Sequence, residues 1–207
     1  MQARVEKLAG IQTHLKVTDF VIGHEVRNTI KGALPGIPEQ LFVCENDDEM
    51  ELALFVEPSI ITNLEKDDPL QTLHHGNLEP FCVALEGVSH FVFVTYRARL
   101  GRPVTPLELE IQGEVDKFVH ALMLMTSQGA SLHSTAKALD LLLFEHWELR
   151  PEVEESVSDR YRVASKAAAQ FCKHLIMQHR QDDDFNRLRR RARAYYHRGL
   201  AEKLRAA

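Results

Sequence analysis

At 207 residues, 44% hydrophobic and 27% charged, the chain has ordinary globular proportions, and its 10 Gly and 8 Pro lack the bias of a disordered or low-complexity sequence. No apolar run reaches the roughly 18–20 residues of a membrane span, and the opening MQARVEKLAGIQTHLK spreads charge where a secretory leader needs an apolar centre, so no membrane partner is expected. The net charge of −5 hides a segregation, because residues 185–207 hold eight basic residues against one acid and the other 184 carry a net −12.

Val5, Leu8 and Leu15 stand at helical spacing over residues 2–15, which predicts a short amphipathic helix with Gly10 as its weak point. TDFVIG reads as a strand or a helix start, HEVRNTI as helical, and KGALPGIP interrupts both. Over residues 40–57, Leu41, Val43, Met50, Leu52, Leu54 and Val56 alternate with other residues about an NDDE turn, which predicts an antiparallel hairpin. Pro58 and Pro69 each occupy a first helical position and predict two short helices. Asn77 is placed to cap a helix that ends near Gly87, and the β-branched and aromatic run VSHFVFVTYRARL reads as a central strand.

Thr105 and Pro106 open a helix that runs to about Gln128, with Glu108 at the far corner of a capping box. Leu107, Ile111, Val115, Phe118, Leu122 and Met125 form its apolar stripe, and Glu108, Gln112, Asp116 and His120 form a polar row. A further helix starts at Ser131 or Ser134, and Pro151 marks the next boundary. Val153, Val157, Tyr161, Ala164, Ala168, Phe171 and Leu175 then trace the seam of a long helix, and after QDDD a second helix carries Phe185, Leu188, Ala192 and Tyr195 or Tyr196. The expected fold is α+β: a small antiparallel sheet of three or four strands flanked by helices in residues 1–105, then an all-helical half in residues 106–207. That half has a linking helix at 106–128 and a long antiparallel helical hairpin at 151–207, and the two regions can share one compact domain.

No Gly-x-Ser-x-Gly elbow, Gly-rich phosphate loop, dinucleotide fingerprint or metal-ligand spacing is present, so the sequence implies neither a cofactor nor a metal. Asp116 and His120 are an i, i+4 pair that, with His90, offers candidate catalytic groups for a metal-dependent or acid/base hydrolase. The ordinary alternative is a helix-surface aspartate that orients the histidine, beside a solvated Glu114 and Lys117 pair. Because ALMLM follows His120, that ring should be buried and bonded by Asp116, Tyr96 or a backbone carbonyl. Arg97 is a candidate clamp for an anionic ligand, or a partner for Glu86 or Glu110.

In the basic tail Arg187, Arg190, Arg191, Arg198 and Tyr195 are candidate binding residues, for a protein partner first and for nucleic acid as the alternative, since Tyr195 and Tyr196 interleave aromatic rings among cations. Glu152, Glu154, Glu155 and Asp159 stand opposite Arg198, Lys203 and Arg205 if the hairpin forms, which would answer much of that charge within the chain. Cys44, Cys82 and Cys172 lack a Cys-x-x-Cys spacing and read as packed, reduced thiols in a cytoplasmic protein. The leading expectation is a cytoplasmic, non-catalytic binding or adaptor protein; oligomeric state has no sequence signal.

Overall fold

The computed structural model describes residues 1–46, 49–145, 155–182 and 185–206. Helix α1 (Gln2–Ala9) buries Val5, Leu8 and Ala9 and ends at Gly10, whose φ of 72° is the left-handed conformation that glycine adopts without strain. A 3-10 turn (Val17–Phe20) leads into the two-residue strand β1 (Val21–Ile22) and the single turn α2 (His24–Arg27). Strands β2 (Glu39–Asn46) and β3 (Glu49–Val56) pair antiparallel from Glu39 opposite Val56 to Asn46 opposite Glu49, as the alternation predicts, and two residues of the NDDE turn, 47 and 48, lie outside the described residues. The sheet is mixed rather than purely antiparallel, in the order β1-β3-β2, because β1 pairs parallel with β3. The segment between β1 and β2 carries the chain across the sheet, so β3 returns between them; a two-residue strand has too little alternation to reveal its direction. Helix α3 (Pro58–Lys66) follows, but the second short helix expected at Pro69 is only a turn, in which Asp68 accepts from the Leu70 N–H at 2.9 Å.

The run VSHFVFVTYRARL is not a strand. It is the second half of the 25-residue helix α4 (His75–Arg99), which passes through Gly87 without stopping. His74 rather than Asn77 is its N-cap: the His74 ring accepts from the Gly76 N–H at 3.1 Å while Asn77 Oδ1 accepts from the His74 N–H at 2.9 Å. Helices α1 and α3, strands β2 and β3 and the helix that follows α4 all pack on it, leaving Phe91, Val92 and Phe93 with no exposure. A helix covered on every side needs apolar residues on every side, and such a run has no 3.6-residue period to distinguish it from a buried strand. Gly87 permits the approach of the sheet, since a Cβ there would stand 2.8 Å from Glu39 Cγ and 2.9 Å from Leu54 Cδ1. By length and composition α4 could also cross a membrane, and 78% of that stretch is buried inside the protein.

Helix α5 (Pro106–Ser127) starts at Thr105, whose hydroxyl accepts from the Glu108 N–H at 3.2 Å. The Glu108 carboxylate pairs with Arg97 at 3.1 Å instead of completing a capping box. Helix α6 (Leu132–Asp140) begins after Ser131, continues as a π-helical turn (Leu141–Glu145), and is followed by α7 (Glu155–Asp182), α8 (Phe185–Tyr196) and α9 (Leu200–Arg205). The seam residues Ala164, Ala168, Phe171 and Leu175 are buried, and α7 packs chiefly along α5, meeting α8 through a stack of Phe171 on Tyr195 with centroids 3.8 Å apart. The long antiparallel hairpin is not established: Pro151, Val153 and the 183–184 connection lie outside the described residues, and the second helix stops at Tyr196. One hydrophobic core draws residues from Val5 to Tyr196, on both sides of residue 105. Phe91→Ala should cost about 3–5 kcal/mol of unfolding free energy in urea titration, since the ring is wholly buried at the centre of α4; a loss below about 1 kcal/mol would contradict that placement.

Candidate functional site

The structure separates the three candidate catalytic residues. Asp116 is buried and turned to Ser89, whose hydroxyl donates to Oδ2 at 2.5 Å, and to Gln112, whose amide donates to Oδ1 at 2.9 Å. Burial pushes its carboxyl up to about 6 despite those two donors. His120 does not receive the partner expected for it: Nε2 is buried without a hydrogen-bond partner among the described residues. Burial, then Arg4 and the N-terminal amine, hold the imidazole down to about 3. His90 is gathered into a different cluster.

Arg97 is a structural residue rather than a ligand clamp. Buried against the Phe93 ring, it donates to Glu108 at 3.1 Å and to the Arg198 carbonyl at 2.6 Å, and so binds neither Glu86 nor Glu110. In the tail, Tyr195 and Tyr196 are buried against Phe171 and Phe93, so neither ring faces solvent to stack on a base. Arg187 and Arg190 are exposed, and Arg191 and Arg198 are half-buried. Arg193 donates to the Leu8 and Lys7 carbonyls, both at 2.8 Å, and Lys203 is fully buried with Nζ donating to Gln112 Oε1 at 2.6 Å. Lys203 therefore does not face the acids at the start of α7, as expected; of those acids Asp159 pairs with Arg162, while Glu152 and Glu154 lie outside the described residues. Cys82 and Cys172 are packed thiols, but Cys44 is exposed, because the far half of β2 extends beyond α4. Burial pushes the Cys82 thiol up to about 12 and raises that of Cys172, so neither is a ready nucleophile.

What the fold does bring together lies between α4, α5 and β2. On α4, Glu86 and His90 are one turn apart; on α5, Glu110 and Glu114 are one turn apart with Lys117 following; Glu39 is the first residue of β2. His90 is only 6% exposed. Its Nδ1 stands 3.7 Å from Glu39 Oε1 and its Nε2 4.0 Å from Glu110 Oε2, both beyond hydrogen-bond length. Accordingly His90 Nε2 and Glu39 Oε1 are buried without a hydrogen-bond partner among the described residues. Lys117, expected in solvent, is instead held inside by Glu86 at 2.9 Å and Glu114 at 2.8 Å, and Arg160 of α7 reaches Glu110 Oε1 at 3.5 Å. Gly113 makes room for the imidazole, since a Cβ there would stand 2.9 Å from His90 Nε2.

Desolvation and mutual charge set the protonation of this cluster. Burial raises the carboxyls of Glu39 and Glu114 and pushes that of Glu110 up to about 7. Burial acts the same way on Glu86, but Lys117 and His90 outweigh it and hold that carboxyl below its usual range. Burial alone would lower His90; Glu39, Glu110 and Glu86 outweigh it and carry the imidazole to about 9. Glu110 and His90, 4.0 Å apart, thus titrate at and above neutrality.

Glu39, His90, Glu110 and Arg160 of this cluster line a cavity of about 950 Å³, whereas Glu86, Glu114 and Lys117 do not. Leu41, Val43 and Met50 of the sheet, Val94 and Ala98 of α4 and Leu109 of α5 supply apolar wall, and Gln40, Glu45, Arg102, Thr105 and Tyr161 add further polar groups. Such a concave apolar chamber with a few converging polar groups is the usual form of a small-molecule site. No family model matches this sequence, and no curated protein or solved structure matches it either.

His120 makes a testable contribution to acid sensitivity. Its imidazole titrates near 3 when folded against an ordinary 6.5, so the stability it permits is complete above about pH 6.5 and is lost as pH falls toward 3. His120→Leu should therefore lose about 2–3 kcal/mol less than the parent between pH 7 and pH 4.5, measured by urea unfolding at stepped pH. Parallel losses in the two proteins would show that His120 is not charged on acid unfolding.

Proposed function

We propose that this protein is a small-molecule enzyme of the acid/base or metal-assisted type, with its site in the cavity between the sheet, α4, α5 and α7. The observation that carries the reading is the pairing of buried polar atoms that have no partner among the described residues, His90 Nε2 and Glu39 Oε1, with a largely apolar chamber lined by both side chains. Leaving buried polar atoms without partners costs on the order of 1–3 kcal/mol each, a cost that a bound group offsets by bonding to them. The apolar walls select a molecule with an apolar body, and the floor of Glu39, His90 and Glu110 addresses its one polar group. The hydrolase expected of Asp116, His120 and His90 thus keeps its class and His90 but moves to different partners.

A neutral solvatochromic dye such as Nile red should bind the purified protein with blue-shifted emission and be displaced by 1-decanol. Val94→Trp, which fills the chamber from α4, should weaken that binding about tenfold or more with an unchanged far-ultraviolet dichroism spectrum. Dye binding that Val94→Trp leaves untouched would place the apolar site elsewhere and remove the reading.

A second reading, an adaptor that docks an acidic protein, is supported by the segregated charge and by the exposed Arg187 and Arg190 on α8. Its basis is narrower than the sequence implies, since Arg187 and Arg190 also have interactions within the protein and Arg193 and Lys203 spend their bonds inside the chain. If it holds, Arg187→Glu with Arg190→Glu abolishes capture of a partner in pull-downs at low salt; capture that survives the double reversal argues against it.

A further inference from the structure

Glu86, His90 and Glu110 each present one ligand atom, and those atoms all lie within 4.8 Å of one another. We propose that Glu86, His90 and Glu110 bind one divalent first-row transition-metal ion, with Glu39 as the carboxylate that orients His90. The inference rests on the reading of the cavity as a small-molecule site and names the cofactor of that site.

Geometry supports the assignment atom by atom. His90 Nε2 is buried, has no hydrogen-bond partner among the described residues, and stands 4.0 Å from Glu110 Oε2. An ion about 2.0–2.2 Å from each ligand holds neighbouring ligand atoms about 3.0–3.5 Å apart, so His90 and Glu110 close by about 0.5–1 Å and the widest pair by up to about 1.3–1.8 Å to complete the set. The outer atoms are already engaged. Glu86 Oε2 is held by Lys117 at 2.9 Å, which leaves the second Glu86 oxygen, and Glu110 Oε1 faces Arg160 at 3.5 Å, which leaves Oε2. Glu39 Oε1 lies 3.7 Å from Nδ1, on the opposite side of the ring from Nε2. Brought within hydrogen-bond length, it would accept from the Nδ1 N–H and fix the tautomer whose Nε2 lone pair is available to an ion, the arrangement that metal-bound histidines commonly use. Gly113 keeps the space beside Nε2 clear.

Charge counting agrees with the geometry. Glu39, Glu86, Glu110 and Glu114 bring four carboxylates into a desolvated space that Lys117 and Arg160 answer with two cations. Counted with every carboxyl ionised and the imidazole neutral, as an ion replacing their protons would leave them, the remainder is two negative charges, which a divalent ion closes. One imidazole among oxygen ligands selects zinc, manganese or iron over magnesium or calcium, which prefer oxygen alone. His90 and Glu110 also line the chamber, so an ion that they held would be within reach of a group bound there.

The full chain, stripped by dialysis against EDTA, is titrated calorimetrically with Zn²⁺ and Mn²⁺ and with Mg²⁺ for comparison. One equivalent of Zn²⁺ or Mn²⁺ should bind, with Mg²⁺ weaker, and Co²⁺ should give visible absorption of a nitrogen- and oxygen-ligated ion. His90→Gln and Glu110→Gln should each weaken binding by about 100-fold or more while retaining the dichroism spectrum. If one variant fails to fold, the other decides. Absence of stoichiometric Zn²⁺ or Mn²⁺ binding by the folded parent, or undiminished affinity in a folded variant, overturns the metal site. Either result with dye binding intact leaves the cavity reading standing, whereas ion binding without dye binding removes the cavity reading and keeps the metal.

Discussion

Four carboxylates, an imidazole and an ammonium group share the desolvated layer between α4, α5 and β2, and the packing of those elements depends on their answering one another. Buried charge is tolerated only when it is paired, protonated or bound to an ion. Lys117 joins the two helices by holding Glu86 of α4 and Glu114 of α5, and Glu39 extends the same layer to the sheet. Gly87 and Gly113 are the spatial counterpart of that chemistry, because each lies where a methyl group would collide with Glu39 or His90. A single layer thus sets both how α4 sits on the sheet and where His90 Nε2 and Glu39 Oε1, unpartnered among the described residues, lie.

A second polar network of α5 secures the C-terminus. Ser89 and Gln112 donate to Asp116, Lys203 of α9 donates to Gln112, and the Lys203 ammonium lies 4.4 Å from the centre of the Phe93 ring and 5.4 Å from that of Tyr195. Burial lowers Lys203 to about 7 in spite of Glu108 and Asp116, so this link between α9 and α5 is weakened or strengthened by small changes in its surroundings. Arg97 does parallel work, tying Glu108 of α5 to the Arg198 carbonyl just ahead of α9. Cations that look like a docking surface in the linear sequence are therefore in part the means by which the last helix is held to the core.

The two networks leave α5 with almost no solvent face. Glu108, Glu110, Gln112, Glu114, Asp116 and His120 are all buried, although a helix with an apolar stripe and a polar row ordinarily turns that row outward. The neighbouring helices α4 and α7 cover it instead, and its polar residues bond across the interfaces. This places acid and base groups next to a largely apolar chamber, the arrangement on which the proposed small-molecule site rests.

Local chemistry determined the α+β class, the β2 and β3 hairpin, the start of α5 at Thr105 and the buried seam of α7, because capping, alternation and helical spacing act between near neighbours, whereas the helix expected over residues 2–15 stops at Ala9. The candidate site was only half legible. His90 and Glu86 stand four apart in EGVSH, and Glu110 and Glu114 four apart in EIQGE, but the first pair was hidden by reading a helix as a turn and a strand. Glu39 carries no local signal at all, since its role depends on a strand some fifty residues from His90 being laid across Gly87. Tertiary structure alone decided that α4 is surrounded on every side, that Asp116 turns to Ser89 rather than to His120, and that Lys203 points inward. Each of those outcomes follows from which surfaces other elements desolvate, and desolvation is a property of the assembled fold rather than of any stretch of chain.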